Sequence, residues 1–267
     1  MTVLRLEQIE SPRAFGAKAW ALGRAIAAGL PVPAGYGVSV DSVATIHEGQ
    51  WQSLVPLFDP VMELRPWAVR SSAVDEDGVA MSHAGQYASR LNISSLDTLR
   101  DAVAQIADSA ETRRAAAYQQ HFGLRTTQGM GVVIQRMVRA DLSGVLFTVN
   151  PMTGGAERVI EAVWGLGEAA VSGRVAPDLY VVQVGGTVVE IRAGRKDWCV
   201  VPDPGGGTAI RRVAADLVHR PALARRQIEQ LDRLASQCER IFGPALDIEW
   251  SFAADELYLL QWRPITT

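Results

Sequence analysis

Apolar and polar positions alternate along this chain in two distinct rhythms, and the change from one to the other falls near its middle. Residues 16–29, GAKAWALGRAIAAG, read as an alanine-rich helix closed by Gly29, and the LPVP that follows cannot continue it. PWAVRSS, residues 66–72, reads as a short strand running into a polar loop that is rich in Ser, Gly, Asp and Ala up to Tyr87. A serine cap then opens a long helix in which Leu96, Leu99, Val103, Ile106 and Ala110 recur at helical spacing. From Gly131 the pattern shortens. GVVIQRMVR, SGVLFTVN, ERVIEAVWG, DLYVVQV and TVVEIR are strand-like runs separated by Gly, Asn, Pro and Asp. PDPGGG, at 202–207, reads as a flexible break. LARRQIEQLDRLASQCERIFGP reads as an amphipathic helix, with Ile228, Leu231, Leu234, Cys238 and Ile241 on one stripe and Gly243-Pro244 as its stop. Two strands, DIEWSFA and LYLLQWRP, end the pattern. The order predicts an α+β protein of two lobes, here divided as residues 1–125 and 126–267.

Composition narrows the classes. The chain has 267 residues, of which 48% are hydrophobic and 21% charged, which is ordinary for a globular protein with a proper core. A formal net charge of -3 gives no basic field for nucleic acid. No stretch reaches the roughly 18 apolar residues of a spanning helix, and MTVLRLEQIE lacks the pattern of a signal peptide. Cys199 and Cys238 form no CxxC pair, which fits a reducing interior and predicts a cytoplasmic location without a zinc site. Among 26 basic residues only Lys18 and Lys196 are lysines. Where almost every cation has become arginine, a remaining lysine marks either chance or a place that needs a compact ammonium.

The last hairpin carries the clearest chemistry. By strand alternation Asp247, Glu249 and Ser251 share one face and Ile248, Trp250 and Phe252 the other. On the second strand Leu259, Gln261 and Arg263 share a face, opposite Tyr258, Leu260 and Trp262. A three-residue turn at Ala254-Asp255-Glu256 pairs Glu249 with Gln261, Asp247 with Arg263 and Trp250 with Leu260, which separates polar from apolar most cleanly. A carboxylate beside an amide oxygen suits Mg²⁺, and a nearby arginine suits a phosphoryl group. The same spacing equally suits a solvated outer face with a cross-strand salt bridge.

Other stretches offer similar pairs of readings. Arg70 enters a loop of small residues whose backbone N–H groups can approach anionic oxygens; it is also placed to pair with Asp75 or Glu76 on the surface. Lys18, in the first turn of its helix, opposes the helix dipole unless an anion lies nearby. In VVIQRMV, Gln135 and Met137 are candidates to line a flat base, or are core. Glu168, after a glycine-flanked turn, is a ribose contact, a loop-ordering group or a cap. The sequence holds neither GxxxxGK[ST] nor GxGxxG, and its four histidines do not cluster. His83 alone lies in the candidate loop, where a passive role fits better than catalysis.

Taken together, GAKAWALGRAIAAGLPVPAGYGV, AVRSSAVDEDGVAMSHAGQY, GVVIQRMV, SGVLFTVNP, WGLGEAAVSGRVAPDLYVV and DIEW…LQWRP resemble, in this order, the nucleotide-binding domain of phosphoenolpyruvate synthase, pyruvate phosphate dikinase and rifampicin phosphotransferase. The resemblance covers nearly the whole chain. It implies an ATP-grasp-like fold of two lobes with ATP between them. On matching motif positions it implies that Lys18 and Arg70 hold phosphates and that Gly85 and Ser89 belong to the loop over them. Gln135, Met137 and Val138 would line the adenine site, and Glu249 and Gln261 would face the Mg²⁺-bound phosphates with Arg263 beside them. Lys18, Arg70 and Arg263 are the catalytic candidates; Asp247 and Glu168 would support them.

In such enzymes ATP is cleaved to AMP and phosphate, and phosphoryl passes through a histidine on a separate swivelling domain. The implied function is therefore an ATP-dependent phosphotransferase component whose phosphohistidine carrier is another domain or subunit. A non-catalytic nucleotide-binding regulatory subunit and a self-contained ATP-grasp kinase or ligase remain the alternatives. The chain departs from the family pattern in three places. GGK is GAK here, so Ala17 loses backbone freedom. The loop near SFAGQQETYLN is SHAGQYASRLN, in which Ser89 keeps a hydroxyl but Ala88 loses an acid. The segment between VSVDS and PWAVR is shorter.

Overall fold

The computed structural model describes residues 1–74, 89–120, 129–171, 173 and 175–265, with the backbone alone described at 111–120 and 171. The chain divides into two compact units, Met1–Ala27 with Pro33–Met137, and Ala28–Val32 with Val138–Thr267. The division falls at Met137/Val138 and not at 125/126. The strand Met130–Arg136 is hydrogen-bonded inside the first unit's sheet, so it cannot leave with the second.

The first unit contains β1 (Val3–Arg5), α1 (Pro12–Phe15), α2 (Ala17–Ala27), β2 (Gly35–Val38), α3 (Val40–His47), β3 (Trp67–Ala73), β4 (Ser89–Ile93), α4 (Leu96–Gln120) and β5 (Met130–Arg136). Its antiparallel sheet runs β1-β2-β5-β3-β4. β5 sits at the centre, buried on both faces, which explains its near-continuous apolar run. On one face Val38, Val69, Val132 and Ile134 pack with Leu99, Val103 and Ile106 of α4 and with Phe58 and Val61 of a 3-10 segment. The predicted helical stripe is thus the buried one. Ser71 and Ser72, expected to begin a loop, are the last part of β3.

The other face of this sheet carries the α1–α2 junction at very close range. A side chain on Gly16 would lie 1.9 Å from the carbonyl oxygen of Ser72, and Gly16 holds φ +85°. A side chain on Gly131 would lie 2.2 Å from the carbonyl oxygen of Phe15. Only glycine permits either approach. Ser72 Oγ then accepts the backbone N–H of Ala19 at 3.0 Å, satisfying one of the open donors at the start of α2.

The second unit contains β6 (Leu142–Phe147), β7 (Arg158–Trp164), α5 (Glu168–Val171), β8 (Asp178–Val182), β9 (Val188–Arg192), β10 (Trp198–Pro202), β11 (Thr208–Arg212), α6 (Arg225–Phe242), β12 (Leu246–Ala253) and β13 (Glu256–Pro264). Six strands form an antiparallel sheet in the order β13-β12-β6-β7-β8-β9. Leu146, Ile160, Tyr180, Ile248, Trp250 and Phe252 are buried on one face. Of the predicted α6 stripe, Ile228, Leu231, Leu234 and Cys238 are buried and Ile241 is half-buried. Arg158, fully buried on β7, bonds three α6 side chains, Asp232 at 2.6 Å, Ser236 at 2.8 Å and Glu239 at 3.0 Å. PDPGGG is not a flexible break. It is the turn of a β10–β11 hairpin, closed by Asp203 N–H to the Gly207 carbonyl and by Asp203 Oδ1, which accepts from Gly205. No helix among the described residues is long and apolar enough to cross a membrane.

Candidate functional site

The β12–β13 hairpin places Asp247 opposite Arg263 and Glu249 opposite Gln261, as the alternation predicts, but by a different route. The turn has two residues, Ala254 and Asp255, both at positive φ (49° and 66°), so Ala253 faces Glu256. That count alone would set Glu249 against Leu260. A bulge between Glu249 and Trp250 takes up one extra residue on β13 and restores the Glu249–Gln261 pair. Trp250 therefore faces Leu259 and not Leu260, and Tyr258, opposite Ser251, joins the polar face. Leu259 is fully buried, which supplies the physical reason for the shift.

This face is not a solvated exterior. Asp247 is only 8% exposed. Its Oδ2 accepts from Arg263 Nε at 2.8 Å and pairs with the second guanidinium nitrogen at 2.6 Å. Its Oδ1 is buried and has no hydrogen-bond partner among the described residues, and the same is true of Ser251 Oγ. Burial pushes the Asp247 carboxyl above the usual range despite Arg263, and the charge of Glu249 pushes it the same way.

Glu161 of β7 belongs to this face and escapes the sequence reading. Val145 of β6 lies between Glu249 and Glu161, paired with each. Three carboxylates thus share one face across three strands. Burial, and then the charge of Asp247, raise the Glu161 carboxyl. In ERVIEAVWG only the alternation of Glu161 against Ile160 and Ala162 signals this, and it does not reveal which strands are neighbours. A carboxyl whose pKa is raised on folding stabilises the fold while protonated and loses that contribution as pH rises through the folded value. Stability is therefore expected to fall from about pH 4 toward neutrality. Glu161→Gln is expected to make the fall shallower, as urea unfolding at a series of pH values would measure.

In the first unit the sheet brings several candidates onto one face. Arg70 of β3 lies directly opposite Ser89 of β4 and Val133 of β5. Ser72, two residues beyond Arg70 and on the same side, is the hydroxyl that holds α2. Lys18 sits in the turn so held and is 8% exposed, which excludes the reading of it as an ordinary surface lysine. Ser72 has no signature in the sequence, because its partner lies 53 residues away. Gln135 is 2% exposed, and its amide donates to the Pro33 carbonyl at 3.2 Å. The backbone N–H groups of Arg136 and Met137 go to the carbonyls of Ala34 and Pro66. In the second unit Val138 follows that strand half-buried, and Glu168 accepts from Thr208 Oγ1 at 3.1 Å. Gly85 and His83 lie outside the described residues.

Residues 52–267 match the family described as the pyruvate phosphate dikinase, AMP/ATP-binding domain. The chain belongs to this family. Several longer proteins are similar to this chain. The prodigiosin synthesizing transferase PigC of Serratia marcescens is 34% identical over 285 residues, taking in 96% of this chain and 32% of PigC. The rifampicin phosphotransferase of Bacillus subtilis is 39% identical over 207 residues, 77% of this chain and 24% of that protein. The phosphoenolpyruvate synthase of Pyrococcus furiosus is 37% identical over 211 residues, 75% of this chain and 26% of the enzyme. The chain spans about a third or less of the length of these relatives. Arg70, Ser89, Gln135, Met137, Val138, Glu249, Gln261 and Arg263 all fall within the family match, whereas Lys18 precedes it. Among the described residues no group of three His, Cys, Asp or Glu side chains is placed to hold a metal by itself.

Proposed function

We propose that this chain is the ATP-cleaving component of a dikinase-type phosphotransferase, forming AMP and phosphate and phosphorylating a histidine on a separate carrier domain or subunit. The observation that carries the reading is the paired polar face of β12 and β13 in a chain of the AMP/ATP-binding family. Lys18, Arg70 and Arg263 would bind phosphate oxygens, and Gly85 and Ser89 would belong to the loop over them. Gln135, Met137 and Val138 would line the base. The longer relatives support a carrier outside this domain. Two free cysteines, one of them the buried Cys238 with its thiol pushed up to about 12, suit a cytoplasmic location.

Mg²⁺ fits the donor chemistry. Glu249 and Gln261 supply one carboxylate and one amide oxygen from directly opposed positions, and the orphaned Asp247 Oδ1 is a third hard oxygen on the same face. So small a protein set suits an ion that takes its remaining ligands from phosphates and water. The ion would supply neutralisation of the polyphosphate charge. Asp247 acts through Arg263, fixing the guanidinium that would meet the phosphoryl group.

Incubation with ATP and Mg²⁺ in the presence and absence of a histidine-carrier domain tests the proposal. AMP and phosphate should form, with acid-labile phosphate on the carrier and turnover dependent on it. ADP as the product would move the chain to a self-contained kinase or ligase, and saturable binding without cleavage by any carrier would make it a regulatory subunit.

A further inference from the structure

The outer edge of β9 carries a pattern that neither the family nor the nucleotide reading uses. β9 is the last strand of the six-stranded sheet and pairs only with β8 among the described residues. Val189 and Ile191 are 55% and 48% exposed. Glu190 and Arg192 flank Ile191, lie opposite Val181 and Leu179 of β8, and pair with each other within the strand. A free edge is a template for another strand, and proteins often guard it with charged side chains. Here the two charges have opposite signs and stand symmetrically about Ile191.

That symmetry selects one antiparallel register. If two β9 strands meet about a two-fold axis at Ile191, Glu190 of each copy faces Arg192 of the other, Ile191 faces Ile191, and Val189 faces Ala193. Directly opposed side chains come within about 5 Å, inside ion-pair reach. Centring on Glu190 sets two carboxylates together, and centring on Arg192 sets two guanidinium groups together. The half-step registers on either side of Ile191, centred between Glu190 and Ile191 or between Ile191 and Arg192, set each charge against an apolar residue, Val189, Ile191 or Ala193. The bulge between Val181 and Val182 falls at Val189, so the regular part of the edge is the segment with the charge pair.

We propose that this chain self-associates through β9, pairing two copies antiparallel about Ile191 so that the two sheets become one. The strand is short, and the contact falls below the roughly 1,200 Å² of a standard interface, so the dimer is a weak and concentration-dependent one. Burying Val189 and Ile191 and exchanging two internal ion pairs for two intermolecular ones hold it together.

Sedimentation velocity of the full chain over a wide concentration range reads the association. The wild type should move toward twice its 28.9 kDa mass as concentration rises. Glu190→Arg and Arg192→Glu, each placing like charges opposite, should weaken the dimer about tenfold or more. Both side chains lie at the surface, and circular dichroism of each variant checks that the fold is kept. An equimolar mixture of the two variants should associate again, because one copy then presents two cations at these positions and the other two carboxylates. The charge-exchanged double variant should recover self-association alone. A wild type monomeric throughout, association untouched by either variant, or a mixture that fails to restore it would each overturn the proposal. None of these outcomes depends on nucleotide.

Discussion

Glu249→Gln protein is expected to keep its fold and lose AMP formation by about 10²–10³-fold, the scale of removing one preorganised electrostatic group from a reacting centre. The substitution keeps the volume, removes the charge and replaces one acceptor oxygen with a donor NH2 group. Glu249 is half-buried at the bulge that aligns it with Gln261, so its neighbours need not rearrange. Carrier phosphorylation measured with ATP at several Mg²⁺ concentrations gives the rate, and calorimetry gives nucleotide affinity. If Glu249 acts with the metal, the loss should appear in turnover and in the Mg²⁺ requirement more than in the urea midpoint. Unchanged AMP production at all Mg²⁺ concentrations would remove Glu249, and with it the hairpin face, from the proposed chemistry.

Lys196→Met is expected to cost about 3–5 kcal/mol of stability, because it strands a buried carboxylate. Lys196 and Asp178 are both fully buried and form an ion pair. Asp178 also accepts the backbone N–H groups of Gly194 and Ala222, each at 2.8 Å, so it cannot turn toward water. Tyr180 next to it accepts from Leu223 N–H at 2.9 Å, and its hydroxyl is pushed up to about 12, chiefly by burial. Against a total stability of about 5–15 kcal/mol, such a loss is a large share. The paired variant Asp178→Asn with Lys196→Met should recover much of it, since the amide oxygen still accepts one backbone N–H and no net charge stays buried. Urea unfolding of the two variants measures both effects. A single variant within about 1 kcal/mol of wild type would show that the ammonium does not compensate the carboxylate.

The lysine count points toward this site without saying what it is. Two lysines among 26 basic residues raise the expectation of a compact ammonium, and both are buried. For Lys196 the structure supplies the reason, a dry carboxylate partner on β8. The hairpin is legible for a related reason. Side chains alternate on any strand, so Asp247 and Glu249 must share a face whatever the turn. The turn length escapes the sequence because Ala254 and Asp255 carry no glycine signal for positive φ, and the bulge that offsets the error leaves no mark in composition. PDPGGG misleads for the opposite reason: glycines that mark flexibility in isolation here close a tight hairpin between two short strands.

Local order along the backbone settled much of what this protein is. Helical stripes, strand alternation, stop signals and the sequence of motifs named the elements and the family, because each depends on neighbours within a few residues. Tertiary structure alone decided that Ser72 caps α2 from another strand, that Glu161 joins Asp247 and Glu249, that the division between units falls after β5, and that β9 ends its sheet. Those outcomes depend on which distant strands lie side by side, and burial of side chains on both partners, not the pattern of either one, makes that choice.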